Sequence, residues 1–318
     1  MKKMLICGGT GFIGRNLTEY FARNKEYDVY AVWHKRPKFQ IENVTWIKAD
    51  LRSAKDVENI VDGMDIILQA AATTSGSKDI VNHPYIHVTD NAVMNSLLLR
   101  AAFDHNIANF VFFSCTVMYQ SSYNALAESD FDSSQELYPK YYGVGWTKVY
   151  IEKMCKFFST LNRTKHTVIR HSNIYGPHDK YDLERSHVFG ATITKVMNAN
   201  NKIEVWGTGQ EERDLLHVDD LVFFVEKSIK KQKNFYELFN CGLGKAISIK
   251  QLVEKIVQLS GKEIHVNHDL SQPSIKTSLF LNCNKAKEKI GWEPTIDLSL
   301  GISKTIEWYK NNLMKENS

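Results

Sequence analysis

Through the first third of the chain, short apolar runs alternate with longer stretches in which apolar residues recur at helical spacing. Met4–Cys7, Val29–Trp33, Thr45–Ile47, Asp65–Ala70 and Phe110–Phe113 are too short for helices and rich in β-branched or aromatic residues. Each therefore predicts a buried strand. The segments near Gly14–Asn24, Ala54–Val61 and Asn91–Phe103 carry the periodicity of amphipathic helices. Strands separated by helices do not pair as hairpins, so this order predicts a parallel, doubly wound sheet.

The rhythm then changes. A polar stretch from Ser121 to Glu136 precedes Pro139, which is suited to open a long helix running to about Thr160. Val168–Arg170 predicts the next strand. Beyond it the pattern gives helix Val188–Asn198, strand Ile203–Val205, and helices Asp219–Lys230, Ile249–Ser260 and Ile302–Asn311. The expected fold class is α/β: a Rossmann-type doubly wound parallel sheet over residues 1–172, joined by part of 215–245. A smaller, mixed α/β lobe over 173–318 should cover the carboxyl edge of the sheet and leave a substrate cleft.

Composition narrows the function mainly by exclusion. With 40 basic and 36 acidic residues, the net charge of +4 is too even for a nucleic-acid partner. The cysteines Cys7, Cys115, Cys155, Cys241 and Cys283 are scattered without a C-x-x-C pair, so neither a disulfide framework nor a metal site is expected. A reducing cytoplasm is the expected location. No run approaches the roughly 18 apolar residues of a membrane-spanning helix, so no membrane partner is expected.

The sharpest local signal is Gly8-Gly9-Thr10-Gly11-Phe12-Ile13-Gly14, directly after the first strand and at the start of a helix. Glycines at this spacing allow a tight turn, close backbone approach to a diphosphate, and close helix packing. The helix N-terminus adds amides and a favourable dipole for an anion. An acid at the end of the second strand would accept from the ribose hydroxyl of NAD. Here stand His34, Lys35 and Arg36, with Arg15 after the last glycine. That positive charge predicts NADP(H) in preference to NAD(H).

Asp50-Leu51 after the third strand and Ala70-Ala71-Ala72 after the fourth join the glycine turn. Further on come Asn173-Ile174-Tyr175-Gly176-Pro177, Trp206-Gly207-Thr208-Gly209, Arg213 with His217-Val218-Asp219-Asp220, and Gly291-Trp292-Glu293-Pro294. In this order the chain resembles the extended short-chain dehydrogenase/reductase family, the NAD-dependent epimerases and dehydratases of nucleotide sugars. Within it the segments Gly176-Pro177-His178-Asp179 and Ser186-His187-Val188 are most similar to the GDP-L-fucose synthases. The resemblance implies epimerisation of a GDP-4-keto-6-deoxy sugar and reduction of its C4 by NADPH. It also implies that Asn173, His187, Val188, Trp206 and Arg213 line a nucleotide-sugar pocket. An Arg offers a planar fork suited to a diphosphate. A homodimer through the Pro139–Thr160 region is implied as well.

Two departures from the family pattern bear on catalysis. The family uses a Tyr four residues before a Lys, with a Ser or Thr from the preceding strand. Lys148 fits the lysine that anchors the nicotinamide ribose, but the Tyr slot holds Val144 and the Ser/Thr slot holds Cys115. The cysteine that the fucose synthases use in epimerisation falls at Val117. Other candidates for proton transfer are Thr116, His187, Tyr141 and Tyr142. At 100° per residue Tyr141 lies about 20° from Lys148 on a helix, and Tyr142 about 120° away. Three readings follow: a C4 reductase of a nucleotide sugar, an epimerase or dehydratase with tightly held NAD, and a non-catalytic dinucleotide-binding protein.

Overall fold

The computed structural model describes residues 1–73, 84–184, 186–271 and 278–314. Its first part contains β1 (Lys2–Cys7), α1 (Phe12–Phe21), β2 (Tyr27–Trp33), β3 (Val44–Lys48), α2 (Ala54–Val61) and β4 (Ile66–Gln69). Then come α3 (Pro84–Asp104), β5 (Asn109–Phe113), α4 (Tyr142–Ser159), β6 (Lys165–His171) and β7 (Asn173–Tyr175). The remainder contains α5 (Val188–Asn198), β8 (Lys202–Trp206), β9 (Glu212–His217), α6 (Val218–Lys231), β10 (Tyr236–Cys241) and β11 (Ala246–Ser248). It closes with α7 (Ile249–Ser260), β12 (His265–Asp269), α8 (Asn284–Ile290) and α9 (Leu298–Tyr309).

Seven strands form one parallel sheet in the order β10-β6-β5-β4-β1-β2-β3. This is the Rossmann-type sheet expected from the strand–helix alternation. Both faces are covered, which is why the central strands β1, β4 and β5 carry continuous buried runs instead of alternating. On one face Met4, Ile6, Ile66, Val111 and Phe113 pack with Leu17 and Phe21 of α1 and Leu221 and Phe224 of α6. On the other, Leu5, Ile67, Phe110 and Phe112 meet Val57 of α2, Leu98 of α3 and Ile151 of α4. Each fully buried side chain of this kind stabilises the fold by roughly 1.5–3 kcal/mol before entropy is counted.

The smaller lobe combines a three-stranded sheet, β11-β9-β7, with the pair β12-β8 and helices α5, α7 and α9 around its own core. It is mixed α/β, as expected. Several of its strands escape a periodicity reading because they are short and polar, such as β12 with the sequence HVNHD. The strand β10 was also not legible. It returns to the large sheet beside β6, with Tyr236 opposite His166 and Cys241 opposite His171.

Two sequence landmarks prove to be scaffold. The buried carboxylate of Asp220 accepts from Thr295 N, Thr295 Oγ1 and Ile296 N at 2.9–3.0 Å. Trp292 Nε1 donates to Asp220 O at 3.1 Å, so the Gly-Trp-Glu-Pro segment is stapled to the start of α6. Asp214, equally buried, accepts from Leu243 N, Gly244 N and Leu281 N. These bonds offset much of the cost of removing a carboxylate from water.

Candidate functional site

The glycine turn forms as expected. Gly8 has φ +75°, and Gly11 N donates to Gly8 O at 2.8 Å. A Cβ on Gly14 would stand 2.0 Å from Gly8 O, and one on Gly8 would stand 2.7 Å from Ala71 Cα. The turn therefore fits backbone against backbone, and the first amides of α1 are left without helical acceptors. Phe12 and Ile13 pack on the core below, while Thr10 is buried. Ala70 and Ala71 are half-buried and Ala72 exposed at the end of β4; Asp50 and Leu51 follow β3. This cradle suits the diphosphate of a dinucleotide.

The basic cluster beside it is differently occupied from what its charge suggested. Arg15 lies 4.1 Å over the Phe39 ring and pairs with Glu19 at 2.9 Å. Arg36 Nη1 donates to Thr10 O at 3.0 Å, bracing the turn itself. His34 lies 3.8 Å from Asp50, whose carboxylate also pairs with Arg52 and is held down at about 2 chiefly by it. Lys35 is exposed. Arg15, Arg36 and His34 thus face groups of the chain itself.

At the carboxyl edge, Lys148 Nζ donates to Phe113 O at 2.7 Å and stands 4.7 Å over the Phe112 ring. Burial pushes its ammonium below the ordinary lysine value, against the opposing fields of Cys115 and Glu152. Burial likewise pushes the Cys115 thiol up, although the Lys148 charge works the other way. Cys115 therefore stays protonated near neutrality and is a weak hydrogen-bond donor. Ser114 beside it is committed: its hydroxyl donates to Glu152 Oε1 at 2.6 Å. Thr116 is half-buried in a turn closed by Tyr119 N to Thr116 O at 3.0 Å.

Beneath this corner lies a buried polar network that sequence reasoning missed. Glu152 and Arg170 form a two-pronged pair at 3.0 and 2.7 Å. Arg170 Nη1 also donates to Tyr119 Oη at 3.0 Å, and Tyr119 Oη donates to Asn240 Oδ1 at 2.8 Å. The network ties α4, β6, the segment after β5, and β10 together. Glu152 lies one helical turn beyond Lys148, so it holds the lysine's helix against the sheet.

The helix start differs from a continuous α-helix. Pro139–Tyr141 is a single 3-10 turn, and the α-helix begins at Tyr142. The helical angle drawn from Lys148 back to Tyr141 therefore does not apply. Tyr142 is 54% exposed and packs edge-on against Trp146. Tyr141 is half-buried; burial raises its phenol pKa while the nearby Arg213 charge opposes the rise. Gly143 and Gly145 serve close packing, since a Cβ would meet Val88 Cγ2 at 2.8 Å or Leu137 Cδ1 at 2.6 Å. Val144 is half-buried and brings no titratable group.

From the smaller lobe, Arg213 lies on β9 near Tyr141, and Asn173 Nδ2 donates to Asp214 O at 3.2 Å. His187 is the N-cap of α5; partial desolvation and the Lys180 charge push its pKa down. Val188 packs against the lobe's core. Trp206 is 54% exposed on β8, in the separate two-stranded sheet. The structure thus gathers Lys148 with Cys115, and Tyr141 with Arg213, while Tyr142 faces solvent. His171, at the end of β6, lies within the electrostatic reach of both Lys148 and His187 and was not singled out from sequence. The signal available was its place two residues before Asn173, directly after Arg170.

With this geometry established, comparison with known proteins becomes informative. The model of the NAD dependent epimerase/dehydratase family matches residues 4–242. GDP-L-colitose synthase of Yersinia pseudotuberculosis is 25% identical, over 97% of this chain and 98% of that protein. GDP-L-fucose synthase of Azorhizobium caulinodans is 26% identical, over 97% of this chain and 96% of that protein. These nearly equal identities do not single out the fucose synthases. The UDP-glucuronic acid 4-epimerase of Bacillus cereus, solved with UDP-glucuronic acid and NAD, shares the fold with TM-score 0.83 and 21% identity, covering 97% of this chain and 99% of that one. MoeE5, solved with UDP-glucuronic acid and NAD, gives TM-score 0.85 and 20% identity, covering 98% and 100%.

The expected preference for NADP(H) is overturned by these structures, whose bound dinucleotide is NAD. The physical reason lies in the basic cluster. Arg15 is held by Glu19 and Phe39, Arg36 by the Thr10 carbonyl, and His34 faces Asp50, so their charge is answered from within the chain.

Proposed function

This chain belongs to the NAD dependent epimerase/dehydratase family, and on that premise we propose that it moves hydride between NAD(H) and C4 of a nucleotide-diphosphate sugar. The nucleotide is proposed to be guanosine, and the reaction a 4-keto reduction without the 3,5-epimerase step. The observation that carries this reading is Lys148, buried at the carboxyl edge with Nζ on Phe113 O, in the same edge as the glycine turn. Bound NAD(H) would supply the hydride acceptor or donor.

Within the proposed site, the turn Gly8–Gly14 holds the diphosphate through backbone amides. Lys148 fixes the nicotinamide ribose. Arg213, with Asn173 and His187, holds the sugar nucleotide, and Tyr141 closes the cleft beside Arg213. GDP-L-colitose synthase and GDP-L-fucose synthase support the guanosine choice by their names alone. A cytoplasmic homodimer, joined through the exposed Tyr150 and Phe157 on α4, is part of the same proposal.

A second reading is a 4-epimerase that keeps its NAD; the Bacillus cereus neighbour is a 4-epimerase by name and was solved with NAD. One experiment separates the two. Purified protein is mixed with NADH and GDP-, dTDP- or UDP-linked 4-keto sugars while absorbance at the reduced nicotinamide is followed, and in parallel with NAD and the matching C4-hydroxy sugars, whose C4 configuration is then analysed. Consumption of NADH with a GDP sugar is expected. Interconversion of C4 epimers without net NADH change favours the second reading, and NAD binding without turnover of any sugar removes both.

A further inference from the structure

One titratable group at the carboxyl edge is left over from the site as assembled above. Ser114 N donates to Ile169 O at 2.8 Å, which keeps β5 and β6 in step to their ends. Cys115 leaves one strand there and His171 ends the other. On its far side His171 pairs with Cys241 of β10. The imidazole is half-buried, and its Nδ1 lies 2.8 Å from Ser172 O. A carbonyl oxygen can only accept, so this bond places the ring proton on Nδ1. The lone pair is then on Nε2, which forms no hydrogen bond among the described residues. A backbone carbonyl that orients one ring nitrogen and leaves the other bare is the arrangement of a histidine able to take a proton.

The surrounding groups fit that task. Lys148 on α4 and His187 ahead of α5 act on the ring electrostatically; Cys115 after β5 and Cys241 on β10 are the other titratable neighbours along the sheet edge. Burial, chiefly, pushes the His171 pKa down to about 4, so the ring is neutral at neutral pH. Val144 offers no proton, the Cys115 thiol is held protonated, Ser114 is bound to Glu152, and Tyr142 faces solvent.

Resting on the hydride-transfer reading above, we propose that His171, through Nε2, exchanges the proton of the hydroxyl at the reacting carbon, replacing the absent Tyr. In oxidation the C4 hydrogen leaves with its electron pair for the nicotinamide, the hydroxyl proton passes to Nε2, and the C4–O bond becomes a carbonyl. In reduction Nε2 first takes a proton from water, and the imidazolium so formed, made a stronger acid by burial, passes it to the C4 oxygen as hydride arrives from the nicotinamide.

The test uses His171→Gln, which keeps the side chain polar and near its size but cannot exchange a proton in this way. The proposal expects kcat to fall about 100-fold or more, with KM for the sugar nucleotide and Kd for NAD changed less than about threefold. It also expects the acid limb of the oxidation rate profile to disappear, because that limb records protonation of the base. Nitrogen-15 NMR of the wild-type protein gives a readout independent of turnover and of the variant's folding: the Nδ1–H tautomer, titrating below the ordinary histidine range. An Nε2–H tautomer, or a His171→Gln protein with wild-type kcat and pH profile, overturns the proposal while hydride transfer stands. Wild-type protein that binds NAD but turns over no nucleotide sugar removes the underlying reading and this proposal together.

Discussion

The glycine turn and the corner around Lys148 sit on the same sheet edge yet are specified in opposite ways. The turn is defined by what is missing: a single methyl on Gly14 would reach within 2.0 Å of Gly8 O. Its function rests on backbone amides, so its residues stay recognisable as a short string. The corner is defined by side chains converging from four elements, with Glu152 and Arg170 at the centre. Val144 and Cys115 bring no free acid or base to it, while the buried network underneath is complete. The turn tolerates no added atom, whereas the corner depends on a few long-range side-chain bonds.

The largest expected effect tests that foundation. Glu152→Ala leaves the Arg170 guanidinium buried without its partner and should cost about 3–5 kcal/mol. Urea unfolding measures it; a loss under about 1 kcal/mol would mean the pair carries little of the corner.

Next in size is an acid effect at the opposite end of β6. His166 is buried with both ring nitrogens unpartnered, and burial lowers its pKa to about 4. Its folded value lies below its unfolded one, so stability is full above pH ~6.5 and declines as pH falls towards 4. The loss should approach about 3 kcal/mol at pH 4. In His166→Phe, beside the ring of Phe110, this part of the decline should vanish. Parallel unfolding curves for both proteins over that interval would assign the acid sensitivity elsewhere.

The smallest effect on stability, but the most selective, belongs to the turn. Gly14→Ala should cost about 1–3 kcal/mol through overpacking and abolish detectable NAD binding by calorimetry. Retained binding would show that the amides can shift together without losing their aim, and the contrast between cradle and corner would fail.

The same contrast explains what could be read in advance. The buried strands β1, β2, β4 and β5 announce themselves because both faces of the sheet are covered, and Lys148 stands out by its spacing in the family pattern, at a position that the fold buries at the sheet edge. Charge was misleading at His34, Arg36 and Arg15 because sequence counts cations without their partners. Glu19 is four residues from Arg15, but Phe39 and the Thr10 carbonyl meet their cations only after folding. His171 was passed over because its significance comes from Lys148 and His187, far along the chain on other elements. Tyr141 was placed by a helical angle that the 3-10 turn at Pro139 cancels.

The return of β10 to the large sheet has a mechanical consequence. The polypeptide passes from sheet to lobe after β6, and once more after β10, at adjoining strand ends where Ser172 N donates to Cys241 O at 2.9 Å; α8 then returns to the sheet's core before α9 rejoins the lobe. A second tie lies at α1, where Asn16 Nδ2 donates to Pro177 O at 2.9 Å and His178 meets Glu19 at 3.1 Å, so the lobe is fastened to the helix that opens at the glycine turn as well as to the strand ends.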